Sequence, residues 1–300
     1  MKQFKSFAKY SIITEALIDT SFGQKINMIQ QYITYLRSIR GYSPNTCRAY
    51  EHDLRQFVAY IQQHTEGMRW STITRTDIDK YIIHLRAAGN TAKTTNRALS
   101  SISGIYNYFI REGMTKSNPC KYESRAKMAE TIPDIIPIED IVRAYDHSQG
   151  VTRTMIGLLA TTGIRIQELL DMSWEDIDFE SQRIKIHGKG NRERVVITTA
   201  NVLAPLKKVA DELPVKGKMF FISQRRARYL LYFAIRPYTR AAKVSPHIIR
   251  HSYATELARL GNNAAAISKA MGHKRLETTQ RYINLAEVEQ ANKSLLNQLT

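Results

Sequence analysis

The chain changes period once. From about Ile177 to Val196 its apolar residues stop recurring every three or four positions. They alternate through Arg183-Ile184-Lys185-Ile186-His187, pass Gly188-Lys189-Gly190-Asn191, and continue as Arg194-Val195-Val196-Ile197. Alternation sends successive side chains to opposite faces of a strand, and a glycine-flanked tip permits a tight hairpin. Almost everything on either side carries helical spacing. The sequence is therefore confined to a mostly α fold, with a small antiparallel β-sheet or hairpin inserted in its second half.

The first half reads as four amphipathic helices. Ile26, Ile29, Ile33 and Leu36 mark the first, which Gly41 ends. Ser43-Pro44 caps and opens the second, with Tyr50, Leu54, Phe57, Val58 and Ile61 along it. Thr76-Asp77 opens a third with Ile78, Ile82 and Leu85 inside, closed by Gly89. The fourth runs from about Thr91 to Glu112 with Leu99, Ile102, Ile105, Tyr106 and Phe109 on its apolar side. Short connections make this a small all-α domain over residues 23–113, preceded by an N-terminal extension, residues 1–22. Residues 114–137 contain Asn118-Pro119, Pro133 and Pro137 with little periodicity and read as a linker. A second domain occupies 138–300, helical apart from the hairpin.

Charge narrows the function. The 300 residues hold 44 Lys and Arg against 27 Asp and Glu, a formal net charge of +17. Such an excess calls for a polyanion, and nucleic acid is favoured over an anionic membrane surface. Arg48, Arg55, Lys93 and Arg97 lie on the polar faces of the first domain, where they could line phosphates or form an ordinary solvated face. From Val215 to Lys243 there are eight Lys or Arg and no acid, with Arg225, Arg226 and Arg228 at the centre and Tyr229, Tyr232 and Tyr238 interleaved. Leu230, Leu231, Phe233 and Ile235 need burial in the same stretch, so one face suits the core and another phosphates. Cys47 and Cys120 are too few and too far apart for a zinc finger or a disulfide scaffold. No apolar run is of membrane-spanning length, and the N-terminus lacks a signal-peptide pattern, so the expected compartment is the cytoplasm.

Several polar residues of the second domain sit where they could handle a phosphate. Arg165 follows the turn Thr162-Gly163, and Glu168 lies three residues on, within reach to orient a neighbour. A guanidinium there could meet a phosphate through two parallel hydrogen bonds. Lys189 occupies the hairpin tip, where a lysine can protonate a leaving alkoxide. Taken singly, each also reads as a surface residue. Ser245-Pro246 starts a helix that places His247 and Arg250 one turn apart near its positive end. His247 and His251 have the spacing of a zinc pair, but Ile248 stands where a metalloprotease motif has Glu, which argues against zinc. Gly272-His273 forms a turn, and Tyr282 follows nine residues after His273. With 16 tyrosines in the chain, what singles out Tyr282 is its company.

Taken together, these segments resemble the tyrosine recombinase (phage integrase) family, and most of all its short, Xer-type members. The resemblance covers about Ile138 to Gln290. Arg165 corresponds to the family's first arginine in a Gly-x-Arg-x-x-Glu setting, Glu168 to the supporting acid and Lys189 to the hairpin lysine. His247 and Arg250 correspond to the His-x-x-Arg pair, His273 to the Gly-His position and Tyr282 to the nucleophile. The helical first domain resembles the family's core-binding domain by pattern. The extension before Gln24 departs from minimal Xer proteins and is too short for a typical arm-site DNA-binding domain.

The resemblance implies a chemistry. Arg165 and Arg250 would hold the scissile phosphate while His247 and His273 add hydrogen bonds, His247 also as an acceptor of the Tyr282 proton. Tyr282 would attack phosphorus to give a 3′-phosphotyrosyl link and Lys189 would protonate the departing 5′-oxygen. Neither ATP nor a metal ion is implied. The implied partner is double-stranded DNA with a paired-arm site, bound by a monomer or dimer and then by a tetramer on two duplexes, with a partner recombinase or accessory protein in some systems. A C-terminal helix from about Ala286 to Leu299 would dock on a neighbouring protomer or on its own domain. The same chemistry serves chromosome dimer resolution, integration, excision and inversion. Two alternatives stay open at this point: a type IB topoisomerase, and a non-catalytic DNA-binding protein on the same fold.

Overall fold

The structure, a computed structural model, describes residues 22–64, 69–121, 134–188, 192–272 and 279–287. The chain divides into two compact units, meeting in sequence at Glu130 and Thr131.

The first unit contains α1 (Phe22–Ser38), α2 (Pro44–His64), α3 (Arg75–Ala87) and α4 (Ala92–Arg111). α2 packs on α1, α3 and α4. The positions that share one face by spacing are the ones buried: Leu54, Phe57, Val58 and Ile61 of α2 meet Ile78 and Tyr81 of α3 and Ile102, Ile105, Tyr106 and Phe109 of α4. Burying each large side chain contributes about 1.5–3 kcal/mol, which helices of this length need, since propensity alone would leave them marginal. Thr74 and Thr91 cap α3 and α4 by accepting from Asp77 N and Thr94 N. Tyr106 Oη donates to the Trp70 carbonyl at 2.8 Å, so the ring is buried without an orphaned hydroxyl.

Packing extends into the stretch expected as a linker. Asn118 donates to the Ser103 carbonyl at 3.1 Å and to Asn107 Oδ1 at 2.9 Å, and Cys120 is buried in the first core. At the far end Ile136 is buried in the second core, and its amide donates to Ser252 Oγ at 2.8 Å. The expected extension, residues 1–22, falls almost entirely outside the described residues.

The second unit comprises α5 (Ile138–Asp146), α6 (Gly150–Thr162), α7 (Ile166–Leu170), β1 (Ile177–Asp178), β2 (Arg183–Gly188), β3 (Arg192–Ile197), α8 (Ala200–Glu212), α9 (Gln224–Ile235), α10 (Pro246–Arg259), α11 (Ala264–Met271) and α12 (279–287). α6 buries Met155, Ile156, Leu158 and Leu159 and lies at the centre, touching α5, α7, α8, α9 and α10. The three strands form one antiparallel sheet in sequence order, with Ile184 opposite Val196 and His187 opposite Glu193. Ile184 and Ile186 point into the core while Arg183, Lys185 and His187 face out, as the alternation predicts. A mostly helical chain carrying one small sheet is thus the observed fold. The expected C-terminal helix lies, apart from its first residues, outside the described residues.

Candidate active site

Two left-handed glycines bring the site together. α6 stops at Gly163, at φ +60°. A side chain could not replace its hydrogen, because a Cβ there would lie 2.3 Å from Tyr253 Cδ1. The chain then enters α7 with Arg165 as its N-cap residue. α11 stops in the same way at Gly272, at φ +62°. The Gly272 carbonyl accepts from Arg165 Nη2 at 3.2 Å, across 107 residues of sequence.

Glu168 is the hub. Its Oε2 accepts the Arg165 amide at 2.9 Å and its Oε1 accepts Arg165 Nη1 at 2.8 Å. From β3, Arg194 adds a two-pronged contact, Nη1 to Oε1 at 3.1 Å and Nη2 to Oε2 at 2.7 Å. The Glu168 side chain is only 7% exposed. Burial alone would push its carboxyl up, but the hydrogen bonds from Arg194 and from the Arg165 amide outweigh it and hold the group at about 2. Glu168 is therefore a fixed anion that sets the orientation of two guanidiniums. Arg194 Nε is buried with no hydrogen-bond partner among the described residues.

α10 supplies the third guanidinium. Ser245 caps the helix by accepting from Ile248 N, and Pro246 fills its first turn. One turn later Arg250 is 4% exposed. Its Nη1 donates to the Gly163 carbonyl and its Nη2 to the Met271 carbonyl at 2.5 Å, tying the ends of α6 and α11 together. Burial first, and then the neighbouring Arg165 and Arg194, lower its guanidinium to about 10 against the opposing pull of Glu168. It remains a cation at neutral pH. Arg165, Arg194 and Arg250 thus gather about a single carboxylate, a local excess of positive charge suited to an anion. His247 lies near the start of the same helix and is exposed.

Tyr282 belongs to α12 and is 2% exposed, in a small apolar cluster with Ala254, Ile267 and Met271. Its Oη lies 2.6 Å from His251 Nδ1, with the two rings 5.6 Å apart. Burial raises the Tyr282 hydroxyl, with Arg250 and Arg281 pulling the other way. Burial, then His247 and Arg250, lowers His251.

Of the residues singled out from the sequence, Arg165, Glu168, Arg250 and Tyr282 are brought into one region, and His247 shares a helix with Arg250. Lys189 and His273 lie outside the described residues; β2 and β3 flank the first, and Gly272 precedes the second. Arg48, Arg55, Lys93 and Arg97 are exposed in the first unit. Arg97 forms a fork with the buried Asp53, both bonds at 2.8 Å, and Arg55 pairs with Glu51 at 2.8 Å. Arg225, Arg226 and Arg228 are exposed on α9, whose Ala227, Leu231 and Ile235 face the core. Two residues escaped the sequence reading: Arg194, treated only as part of a strand, and His251, weighed only as a zinc ligand. Among the described residues no group of three His, Cys, Asp or Glu could hold a metal ion.

The family model described as phage integrase family matches residues 136–289, more than half of the chain. The chain belongs to the phage integrase family. The model for that family's N-terminal SAM-like domain matches residues 29–113. Among relatives of this chain, tyrosine recombinase XerC of Listeria monocytogenes serotype 4b (strain F2365) is 30% identical over 285 residues, 88% of this chain and 95% of the relative. Tyrosine recombinase XerD of Oceanobacillus iheyensis is 28% identical over 86% of this chain and 94% of the relative. Among solved structures, the XerH site-specific recombinase in a post-cleavage complex with palindromic difH substrate has a TM-score of 0.72 at 18% identity, covering 96% of this chain and 94% of that one. A lambda integrase dimer bound to a COC′ core site has a TM-score of 0.67 at 18% identity, covering 86% and 94%. These likenesses establish that the chain shares the recombinases' fold. No helix among its described residues is long and apolar enough to cross a membrane.

Proposed function

We propose that this protein is a site-specific recombinase that cuts and rejoins DNA strands through a 3′-phosphotyrosyl intermediate. The observation that carries the reading is the gathering of Arg165, Arg194 and Arg250 about one carboxylate in the unit that holds Tyr282. Arg165 and Arg250 grip the non-bridging oxygens of the scissile phosphate and stabilise the charge that grows on them in the transition state. Glu168 fixes Arg165. Tyr282 Oη attacks phosphorus, and the positive surroundings offset the poor nucleophilicity of a phenol. His247 and His273 donate to the phosphate, and Lys189 protonates the leaving 5′-oxygen. A 5′-hydroxyl from a second strand then attacks the phosphotyrosine. The link conserves the bond energy, so the cycle draws on neither ATP nor a metal ion.

The partner is duplex DNA with two binding arms, contacted by the helical unit of residues 23–113 and by the catalytic unit of residues 138–300. Arg225, Arg226 and Arg228, with Arg48, Arg55 and Lys93, meet phosphates that position the duplex. Exchange uses four protomers on two duplexes, and the cytoplasm is the compartment where such DNA lies.

Covalent capture in the host cell tests the reading. Cells are denatured, the protein is recovered with any attached DNA, and the attached ends are sequenced beside a Tyr282→Phe control. Tyrosine-dependent adducts at one defined site, or at the paired ends of an element, are the expected result. Scattered tyrosine-dependent adducts indicate a relaxing topoisomerase. An expressed protein without adducts overturns the reading.

A further inference from the structure

The proton of Tyr282 has a receiver already in place. We propose that His251 is a further catalytic residue, which takes the proton from Tyr282 Oη as that oxygen bonds to phosphorus and returns it when the tyrosine leaves. The proposal rests on the recombinase reading above and assigns to His251 the transfer that the sequence pattern assigns to His247.

Geometry carries it. His251 Nδ1 stands 2.6 Å from the nucleophilic oxygen, within the distance over which a phenol passes its proton to an imidazole. α10 fixes the ring one turn beyond His247 and next to Arg250, whose guanidinium is locked to two carbonyls. The groups that act on His251 are His247 and Arg250 on its own helix, Asp134 ahead of α5, and Tyr282 on α12. Burial and the first two disfavour the imidazolium and Asp134 favours it, with the balance toward the neutral ring. A neutral ring protonated on Nε2 leaves Nδ1 free to accept.

The step balances. In cleavage the Oη–P bond forms, the bond from phosphorus to the 5′-oxygen breaks, the phenol proton moves to Nδ1, and the 5′-oxygen takes a proton from Lys189. In rejoining a 5′-hydroxyl gives its proton to the neutral Lys189 amine and attacks phosphorus, the Oη–P bond breaks, and the proton on Nδ1 returns to Oη.

The test uses the full chain and a duplex spanning the cleavage site recovered by covalent capture. A second duplex carries sulphur in place of the bridging 5′-oxygen, a leaving group that needs no proton. His251→Asn places an oxygen acceptor near the position of Nδ1 but cannot carry the proton. It is expected to bind the duplex as the parent does and to form the phosphotyrosine about 100-fold more slowly on both substrates. Lys189→Ala recovers cleavage on the sulphur duplex, which separates the two proton transfers. Because burial lowers His251, the parent rate falls on an acid limb centred below the ordinary imidazole value of 6.5, and this limb is absent in His251→Asn. A His251→Asn rate within a few-fold of the parent, with an unchanged pH profile, overturns the proposal and leaves the recombinase reading standing. Should the variant fail to fold, His251→Gln takes its place, and a rate within a few-fold of the parent with an unchanged pH profile overturns the proposal. A parent chain that forms no adduct overturns both.

Discussion

Arg194 and Glu168 meet in a two-pronged ion pair, Nη2 to Oε2 at 2.7 Å and Nη1 to Oε1 at 3.1 Å. The strand that follows the hairpin tip therefore holds the carboxylate that holds Arg165. Positioning of the proposed phosphate ligand is shared between α7 and β3, through two residues 26 positions apart in sequence.

Stability should follow the charge on Glu168. Its folded value, about 2, lies below the ordinary 4.5. The stabilisation is fully present above about pH 4.5 and is lost as pH falls through about 2, a contribution of about 3 kcal/mol. Glu168→Gln should lower stability at pH 7 by about that amount, because it strands Arg194. It should also flatten the acid dependence. Urea midpoints between pH 7 and pH 3 for the two chains check both statements.

Gly163→Ala and Gly261→Ala separate clash from backbone strain. Both glycines are left-handed, at φ +60° and +81°, but a Cβ at Gly261 meets nothing within 4 Å while one at Gly163 meets Tyr253 and Met271. Gly261→Ala should cost about 1–2 kcal/mol. Gly163→Ala should cost about 3 kcal/mol or more, since the overlap adds to the strain. Thermal melts of the pair give the difference.

Arg97 should matter to folding more than to DNA. Its partner Asp53 is 1% exposed, so Arg97→Ala leaves a buried carboxylate unpaired. Because the arginine is itself partly exposed, the expected loss is about 2 kcal/mol. The salt dependence of DNA binding should stay as in the parent. Replacing Arg225, Arg226 and Arg228 with Ala should leave stability nearly unchanged and lower the salt slope by about 1 for each phosphate no longer neutralised. Binding titrations at several salt concentrations distinguish the two sets.

Tyr282→Phe should abolish covalent capture at a small cost in stability. The hydroxyl it removes is bonded to His251, and a hydrogen bond of this kind contributes about 1 kcal/mol. Chemical denaturation and denaturing gels on the same preparation measure the two effects.

The helices and the hairpin were legible because burial at regular spacing leaves a periodic trace, as Leu54, Phe57, Val58 and Ile61 do in α2. Arg165, Arg250 and Tyr282 were legible by their order and neighbours. Arg194 was not. It shares a strand face with the buried Val196, while Val195 on the other face is 61% exposed. Three consecutive apolar residues, Val195-Val196-Ile197, conceal which parity faces inward. His251 was hidden for another reason: nothing along α10 says that a tyrosine 31 residues later will meet it. Such pairings are properties of tertiary packing, which the linear pattern does not carry.

The three guanidiniums around Glu168 mean that the free protein is under electrostatic tension. Arg165 and Arg194 each weaken the protonation of Arg250 and Glu168 opposes them, so the three cations push against one another about one anion. A phosphate diester set among them would relieve that tension, and whatever stabilises the bound form appears reciprocally as affinity. Bound substrate would then act as a structural part of the fold, supplying the second anion that three cations call for where Glu168 supplies one.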